Sequence, residues 1–154
     1  MTTRKRVTIM IGCPGSGKST WIKNNESPDA VVVSADHWFI QANGEYVFDP
    51  NQLGAAHADC MRRFREALAN PDVEAIVVDN TNTSRKAVKP YLDAATAAGA
   101  ITIGMILQVD PAVAAARNVH GVPLETIERM AKEVARFTSS EEFKSLGFDF
   151  VGKV

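Results

Sequence analysis

The chain has little of what marks several protein classes. Of its 154 residues, two are cysteines, Cys13 and Cys60, too few for a disulfide framework, so both are expected as reduced thiols. Three histidines and two distant cysteines offer no zinc-site spacing. No apolar run reaches the roughly 18 residues of a membrane span. The start, Met1-Thr2-Thr3-Arg4-Lys5-Arg6, passes into a short apolar run without the hydrophobic region of a cleavable signal. A soluble cytoplasmic protein with no membrane partner is the expectation. Seventeen Lys and Arg against 18 Asp and Glu leave a net charge of −1, without the basic excess of proteins that coat nucleic acid or anionic membrane. Any nucleic-acid contact should be local. Repeats, linkers and low-complexity stretches are also missing, so residues 1–154 read as a single domain.

What is present is an alternation. Short apolar runs at Val7 to Ile11, Ala30 to Val33, Ala75 to Val78 and Ile101 to Val109 are separated by helix-like stretches. Continuous apolarity predicts strands buried on both faces, and strand–helix alternation predicts a parallel sheet. Phe148 to Val151 reads as a fifth strand. Asp49-Pro50 and Asp110-Pro111 are helix starts, an N-cap followed by Pro. After the first, Leu53, His57, Cys60, Phe64 and Leu68 form an apolar stripe in which His57 reads as a core histidine without chemistry. In the last long helix Leu124, Ile127, Met130, Val134 and Phe137 face the sheet, with Glu125–Arg129 and Glu128–Lys132 as i,i+4 pairs on the wet side. Pro90 is expected to break or kink a helix beginning near Ser84.

Gly12-Cys13-Pro14-Gly15-Ser16-Gly17-Lys18-Ser19-Thr20 satisfies G-x-x-x-x-G-K-[ST] and lies between an apolar strand and a helix. Its glycines let backbone N–H groups converge on phosphate oxygens, and the next helix presents unpaired donors. Lys18 should bridge the β- and γ-phosphates and the Ser19 hydroxyl should ligate Mg²⁺, so a nucleoside triphosphate is the expected ligand. Cys13 reads either as a thiolate favoured by the helix start or as a small residue filling the loop. With no Asn-Lys pair anywhere, the N-K-x-D segment of a guanine-reading switch is missing, and a motor needs a coupling domain. A small kinase is left as the leading choice.

Ligands of open α/β sheets sit at the carboxyl ends of the strands, where Asp36 and Asp79 end two apolar runs. Phosphoryl transfer to an alcohol needs a carboxylate near the attacking hydroxyl and positive charge on the transferring group. Asp36 suits the first task, and by position it equally suits capping the turn His37-Trp38-Phe39. Asp79 resembles a Walker-B carboxylate for Mg²⁺, or else satisfies the Asp79-Asn80-Thr81-Asn82 turn. Arg117 closes a helix before the hinge Gly121-Val122-Pro123 and is placed to bring charge onto the phosphoryl group, or is a solvated arginine. His120 either bonds phosphate or caps the helix end.

The stretch from Gly12 to Trp21, Ser34-Ala35-Asp36, Asp79 to Asn82 and Arg117-Asn118 together resemble the kinase domain of the polynucleotide 5′-kinases of bacteriophage and eukaryotic repair type. Gly44 to Pro50 and Arg117 to Val122 resemble still more closely an AAA-type, ATP-binding P-loop kinase subgroup found in phages and animals. The resemblance spans about residues 6 to 137. It implies a three-layer P-loop α/β fold of nucleoside-kinase type, a parallel sheet of four or five strands in the order 2-3-1-4-5, and a short helical lid around Arg117 to Pro123. It also implies ATP as donor, Asp36 as general base and Arg117 as the lid arginine that clamps the donor phosphates. The phage enzymes carry an arginine three residues after the catalytic Asp; Phe39 stands there in this chain, which leaves the acceptor open. The phosphatase domain of many repair kinases is not found in these residues, so 3′-end processing is not expected from this chain.

Trp38, Phe39, Tyr46 and Phe48 are expected near the acceptor side, stacking on a base or packing the first turn onto the sheet. Asn80, Thr81, Asn82 and Arg85 are further acceptor candidates. Positive charge gathers at Arg62, Arg63 and Arg65 and at Arg85, Lys86 and Lys89, the second group expected to face the acceptor. The expected function is ATP- and Mg²⁺-dependent transfer to a nucleic-acid hydroxyl, most simply the 5′-hydroxyl of DNA or RNA. Alternatives are a DNA kinase acting on the hydroxymethyl group of 5-hydroxymethyluracil, a small-molecule kinase, and an ATP-binding module without transfer.

Overall fold

The structure, a computed structural model, describes residues 4–118 and 120–154; Val119, within the stretch compared above, lies outside them. The apolar runs form strands β1 Arg6–Ile11, β2 Val31–Val33, β3 Ala75–Val78 and β4 Ile101–Ile106, with β5 at Phe150–Lys153. Between them lie α1 Lys18–Asn25, α2 Leu53–Ala69, α3 Arg85–Ala97, α4 Pro111–Arg117, α5 Leu124–Thr138 and α6 Glu141–Lys144. All strand pairs are parallel and the order is β2-β3-β1-β4-β5, as the resemblance implied.

Because strand side chains alternate, the sheet builds two cores. Val7, Ile9, Ile11, Ile76 and Val78 point to one face and bury against Cys60 and Phe64 of α2, Val88 and Leu92 of α3, and Val134 and Phe137 of α5. Phe64 meets Tyr91 edge-on at 5.0 Å. Truncating Phe64 to Ala should cost about 3–5 kcal/mol, as is usual for a fully buried phenylalanine. Met10 and Val77 point to the opposite face, under Trp21 and Ile22 of α1. A third cluster, Cys13, Ala114 and Ile127, ties the loop after β1 to α4 and α5.

Several expectations need correction. The buried stripe of α2 is Ala56, Cys60, Phe64 and Ala67, whereas Leu53 and His57 are exposed. A short 3₁₀ turn at Pro50–Gln52, capped by Asp49, precedes the helix. His57 is therefore a surface residue, not a core histidine. On α5, Arg129 pairs with Glu133 at 2.8 Å rather than with Glu125, and Leu124 is exposed. Pro90 neither ends nor delays α3: Ser84 caps it by accepting from Ala87 N at 3.2 Å, and the helix runs through the proline without the bond its missing N–H would make. Strand β4 ends at Ile106. Strand β5 starts two residues late because Asp149 Oδ2 accepts from Thr102 N at 2.8 Å, which uses that residue as a side-chain clasp before the ladder begins.

All five carboxyl ends point the same way. The loops after β1, β2 and β3 and the β4–α4 connection therefore share one rim, the place where such sheets bind ligands.

Candidate active site

Backbone geometry builds the donor side. Gly12 N donates to Thr81 O at 3.0 Å, which binds the loop after β1 to the loop after β3. A Cβ on Gly15 would lie 2.0 Å from the Ala114 carbonyl oxygen, and φ there is +78°. Glycine is therefore required both for space and for conformation. Gly17, at φ +101°, caps α1 with no side-chain bond, so the first-turn N–H groups of α1 are left for an anion. Ser16 Oγ is buried with no hydrogen-bond partner. An orphaned hydroxyl inside a ring of glycines fits a phosphate oxygen, and these residues suit a triphosphate tail.

Lys18 Nζ donates to the carbonyls of Gly12 and Cys13, both at 2.9 Å. Burial pulls its pKa below the ordinary lysine value, while the negative charges of Asp79 and Asp36 resist. Burial likewise pushes the Asp79 carboxyl up, with Lys18 opposing. The two half-buried groups act on each other's charge without an ion-pair contact between them. Ser19 and Thr20 are exposed on the first turn of α1 and Pro14 is half-buried. Ser19 and Asp79 are the two residues suited to Mg²⁺. Among the described residues no cluster of three or more His, Cys, Asp or Glu side chains forms a cage, so such an ion would take its other ligands from phosphate and water. The thiolate reading of Cys13 is overturned, because burial raises its pKa and the side chain packs on Ala114 and Ile127. Arg117, the last residue of α4, brings Nη1 to 3.8 Å from where a Gly17 Cβ would stand.

Side chains build the acceptor side. Ser34 Oγ accepts from Asp36 N at 3.1 Å and so caps the turn Ala35–Phe39 itself. The Asp36 carboxyl is thereby released from the capping role. Its side chain is half-exposed; Tyr46 Oη donates to Oδ1 at 3.1 Å, and His120 Nε2 lies 3.9 Å from Oδ2. Tyr46 returns to Asp36 through a turn in which Gln41 N donates to Glu45 O at 2.8 Å and Val47 N to Phe39 O at 2.9 Å. Burial, and then the Asp36 charge and hydrogen bond, push the Tyr46 phenol up to about 12, so it stays a donor at working pH. Arg63 of α2 braces the Ala35–Phe39 turn at its start, donating to Ser34 O at 2.8 Å and to Asp59 at 2.9 Å.

The remaining candidates divide. Trp38 is 41% exposed, its indole N–H held by Gln52 Oε1 at 2.8 Å, and Phe48 is 49% exposed. Phe39, by contrast, is 2% exposed and packs between Tyr46 and Phe48, so it is a core residue and not an acceptor contact. Asn80 Oδ1 accepts from Ala35 N at 2.9 Å, and the buried Asn82, at φ +51°, donates to Met10 O at 2.7 Å. Both amides lock the rim's backbone, which corrects their assignment as substrate contacts. Thr81 contributes its carbonyl to Gly12. Arg85 lines a recess of about 320 Å³ with Arg136, Glu133 and Glu142, a recess that none of the Asp36 cluster lines, and Lys89 pairs with Asp93 at 2.6 Å. Arg85 and Lys89 of the second basic group are thus engaged away from Asp36. Among the described residues His120 makes no side-chain capping bond; it stacks on Tyr46 with ring centroids 4.0 Å apart. The partnership of Tyr46 with Asp36, and the brace from Arg63, were missed in the sequence. Asn43-Gly44 was a usable turn signal for the first, and the i,i+4 spacing of Asp59 and Arg63 for the second.

Fold and site together define a P-loop kinase-like α/β domain. The chain belongs to the AAA_33 family of AAA domains, whose profile matches residues 7–136. It is 33% identical over 139 residues to NEDD4-binding protein 2 of Homo sapiens; the match takes in 86% of this chain and spans 8% of that relative's length. Its fold is similar to a chain of the Pnkp1/Rnl/Hen1 RNA repair complex, with a TM-score of 0.70 and 17% identity over 88% of this chain and 46% of the other. It is also similar to a gluconokinase from Sinorhizobium meliloti 1021, with a TM-score of 0.58 and 17% identity over 99% of this chain and 83% of the other. Among the described residues no helix is long and apolar enough to cross a membrane.

Proposed function

We propose that the protein is an ATP- and Mg²⁺-dependent phosphotransferase that moves the γ-phosphoryl group to a hydroxyl of a nucleic acid, most simply a 5′-hydroxyl of DNA or RNA. The observation that carries this reading is the Asp36 carboxyl: freed from capping by Ser34, half-exposed on the rim, and near enough to the loop that its charge acts on Lys18. The phosphate loop orients the donor tail, and Lys18 turns from its loop carbonyls to the β- and γ-oxygens. Mg²⁺, when bound, neutralises charge between those phosphates. Asp36 would take the proton of the acceptor hydroxyl as its oxygen bonds the γ-phosphorus and the bond to the β,γ-bridging oxygen breaks, the electron pair leaving with ADP, while Arg117 stabilises charge on the transferring group. Trp38 and Phe48 offer π-faces to a base beside Asp36, and a structural neighbour drawn from an RNA repair complex supports a nucleic-acid acceptor. The likeness to a gluconokinase over nearly all of this chain keeps a small hydroxylated acceptor as the second reading.

The test is labelled ATP with Mg²⁺ and two oligonucleotides, one with a free 5′-hydroxyl and one blocked at its ends but carrying internal 5-hydroxymethyluracil. Label on the first, lost in Asp36→Asn with ATP binding retained, is the expected result. Label on the blocked strand alone would replace the end-kinase reading with the base-modifying one. ATP binding without transfer to these strands or to gluconate would leave a nucleotide-binding module.

A further inference from the structure

Two rings at the acceptor side have no task in the reaction as written. Tyr46 holds one carboxylate oxygen of Asp36, and His120 stands beside the other, too far at 3.9 Å for a hydrogen bond. The rings stack on each other at a tilt of 34°. They arrive from different segments, Tyr46 from the turn after Phe39 and His120 from the connection between α4 and α5. That connection is itself held: Asn118 Oδ1 accepts from His120 N at 3.1 Å, and Asn118 Nδ2 donates to Val122 O at 2.7 Å. Three residues before His120, the same connection begins at Arg117, whose guanidinium reaches toward Gly17 of the phosphate loop.

We propose that Tyr46 and His120 are positioning residues for Asp36: the phenol fixes Oδ1 so that Oδ2 faces the acceptor, and the stacked imidazole holds the phenol in place. This rests on the reading of Asp36 as general base.

The assignment makes the stack, not an imidazole nitrogen, the active feature. With labelled ATP and the free 5′-hydroxyl oligonucleotide, Tyr46→Phe should lower kcat about tenfold, the scale of one lost hydrogen bond to a charged group, with KM for ATP unchanged. His120→Ala should fall similarly and His120→Phe, which keeps an aromatic face, should recover most of the rate. The double variant Tyr46→Phe with His120→Ala should cost little more than either alone, since both act through one carboxylate. A His120→Phe enzyme as slow as His120→Ala, or additive losses in the double variant, would overturn the proposal. Proton NMR of the three histidines gives a readout independent of activity. His120 ring protons should be displaced upfield in the free protein and return in Tyr46→Ala; their absence from the shifted region would overturn the ring pair itself. Wild-type protein that shows the stack yet labels neither oligonucleotide would instead remove the kinase reading, and the positioning role with it.

Discussion

The two halves of the rim are built from different materials. On the donor side, position is set by backbone: glycines at positive φ, a helix start with no side-chain cap, and a lysine resting on carbonyls within its own loop. On the acceptor side, Asp36 is held by side chains from distant segments, Tyr46 and, through the turn, Arg63. Backbone cradles bind what every triphosphate shares. A side-chain cradle can change its partner one residue at a time, so the acceptor half is where specificity is free to vary within a constant fold.

The strongest way to break that contrast is to damage each half separately. Asp36→Asn should lower transfer by roughly 10²–10⁴-fold, the usual range for a lost general base, while ATP binding followed by fluorescent-nucleotide titration stays at wild-type strength. Gly15→Ala should do the reverse, abolishing measurable nucleotide binding, because the new Cβ meets a backbone oxygen that no rotamer change can move. Loss of nucleotide binding in Asp36→Asn would show that the two halves are not separable. Arg117→Ala comes next: charge placed on the transferring group is worth about 10²–10³ in kcat, and a change confined to KM for ATP would make Arg117 a ground-state contact only.

This division also explains what could be read from the chain. The phosphate loop is contiguous, nine residues whose chemistry is mostly that of their own backbone, so spacing alone carried Gly12 to Thr20. Strand order followed from the resemblance. Asp36 was legible as a position but not as a role, because a carboxyl after a strand either caps or stands free, and only the structure shows Ser34 taking the cap and leaving the carboxyl free. Tyr46 acts through a contact ten residues away, and Phe39 looks like a ligand-stacking ring until Tyr46 and Phe48 are seen closing over it. Asn80 and Asn82 misled for a related reason. Polar residues at the end of a strand satisfy rim backbone as readily as they meet substrate, and here they bond Ala35 N and Met10 O. The α2 stripe was misread at its start: the face that buries Cys60 and Phe64 farther along leaves Leu53 and His57 exposed in the first turns, where spacing cannot say whether anything packs against it.

A smaller effect sharpens the acceptor half. Trp38 is tethered by Gln52 yet leaves its face open, so Trp38→Ala should raise the oligonucleotide KM roughly tenfold, the value of one stacked base, without moving KM for ATP. Trp38→Phe should recover part of it. An unchanged oligonucleotide KM would assign the ring to packing.

The least conspicuous prediction concerns Asp79 and Lys18. Asp79 titrates above the ordinary carboxylate range because burial outweighs the attraction of Lys18. A carboxyl whose folded value is raised contributes stability that is whole below its unfolded value, about 3.9, and is lost as pH rises through the folded value. Above that point the ionised carboxylate is a net cost to the free protein. An amide never ionises, so Asp79→Asn should melt a few degrees higher than wild type near neutral pH, with the gain shrinking toward pH 4. Its Mg²⁺-dependent transfer should fall at the same time. Lys18 does not reverse the sign, since its attraction is already counted in the direction of the Asp79 shift and its Nζ keeps two carbonyl partners. Thermal melts from pH 4 to 8 decide the matter: a variant that melts lower at neutral pH would mean that the pair holds the loop together, and the donor half would then depend on side chains as much as the acceptor half does.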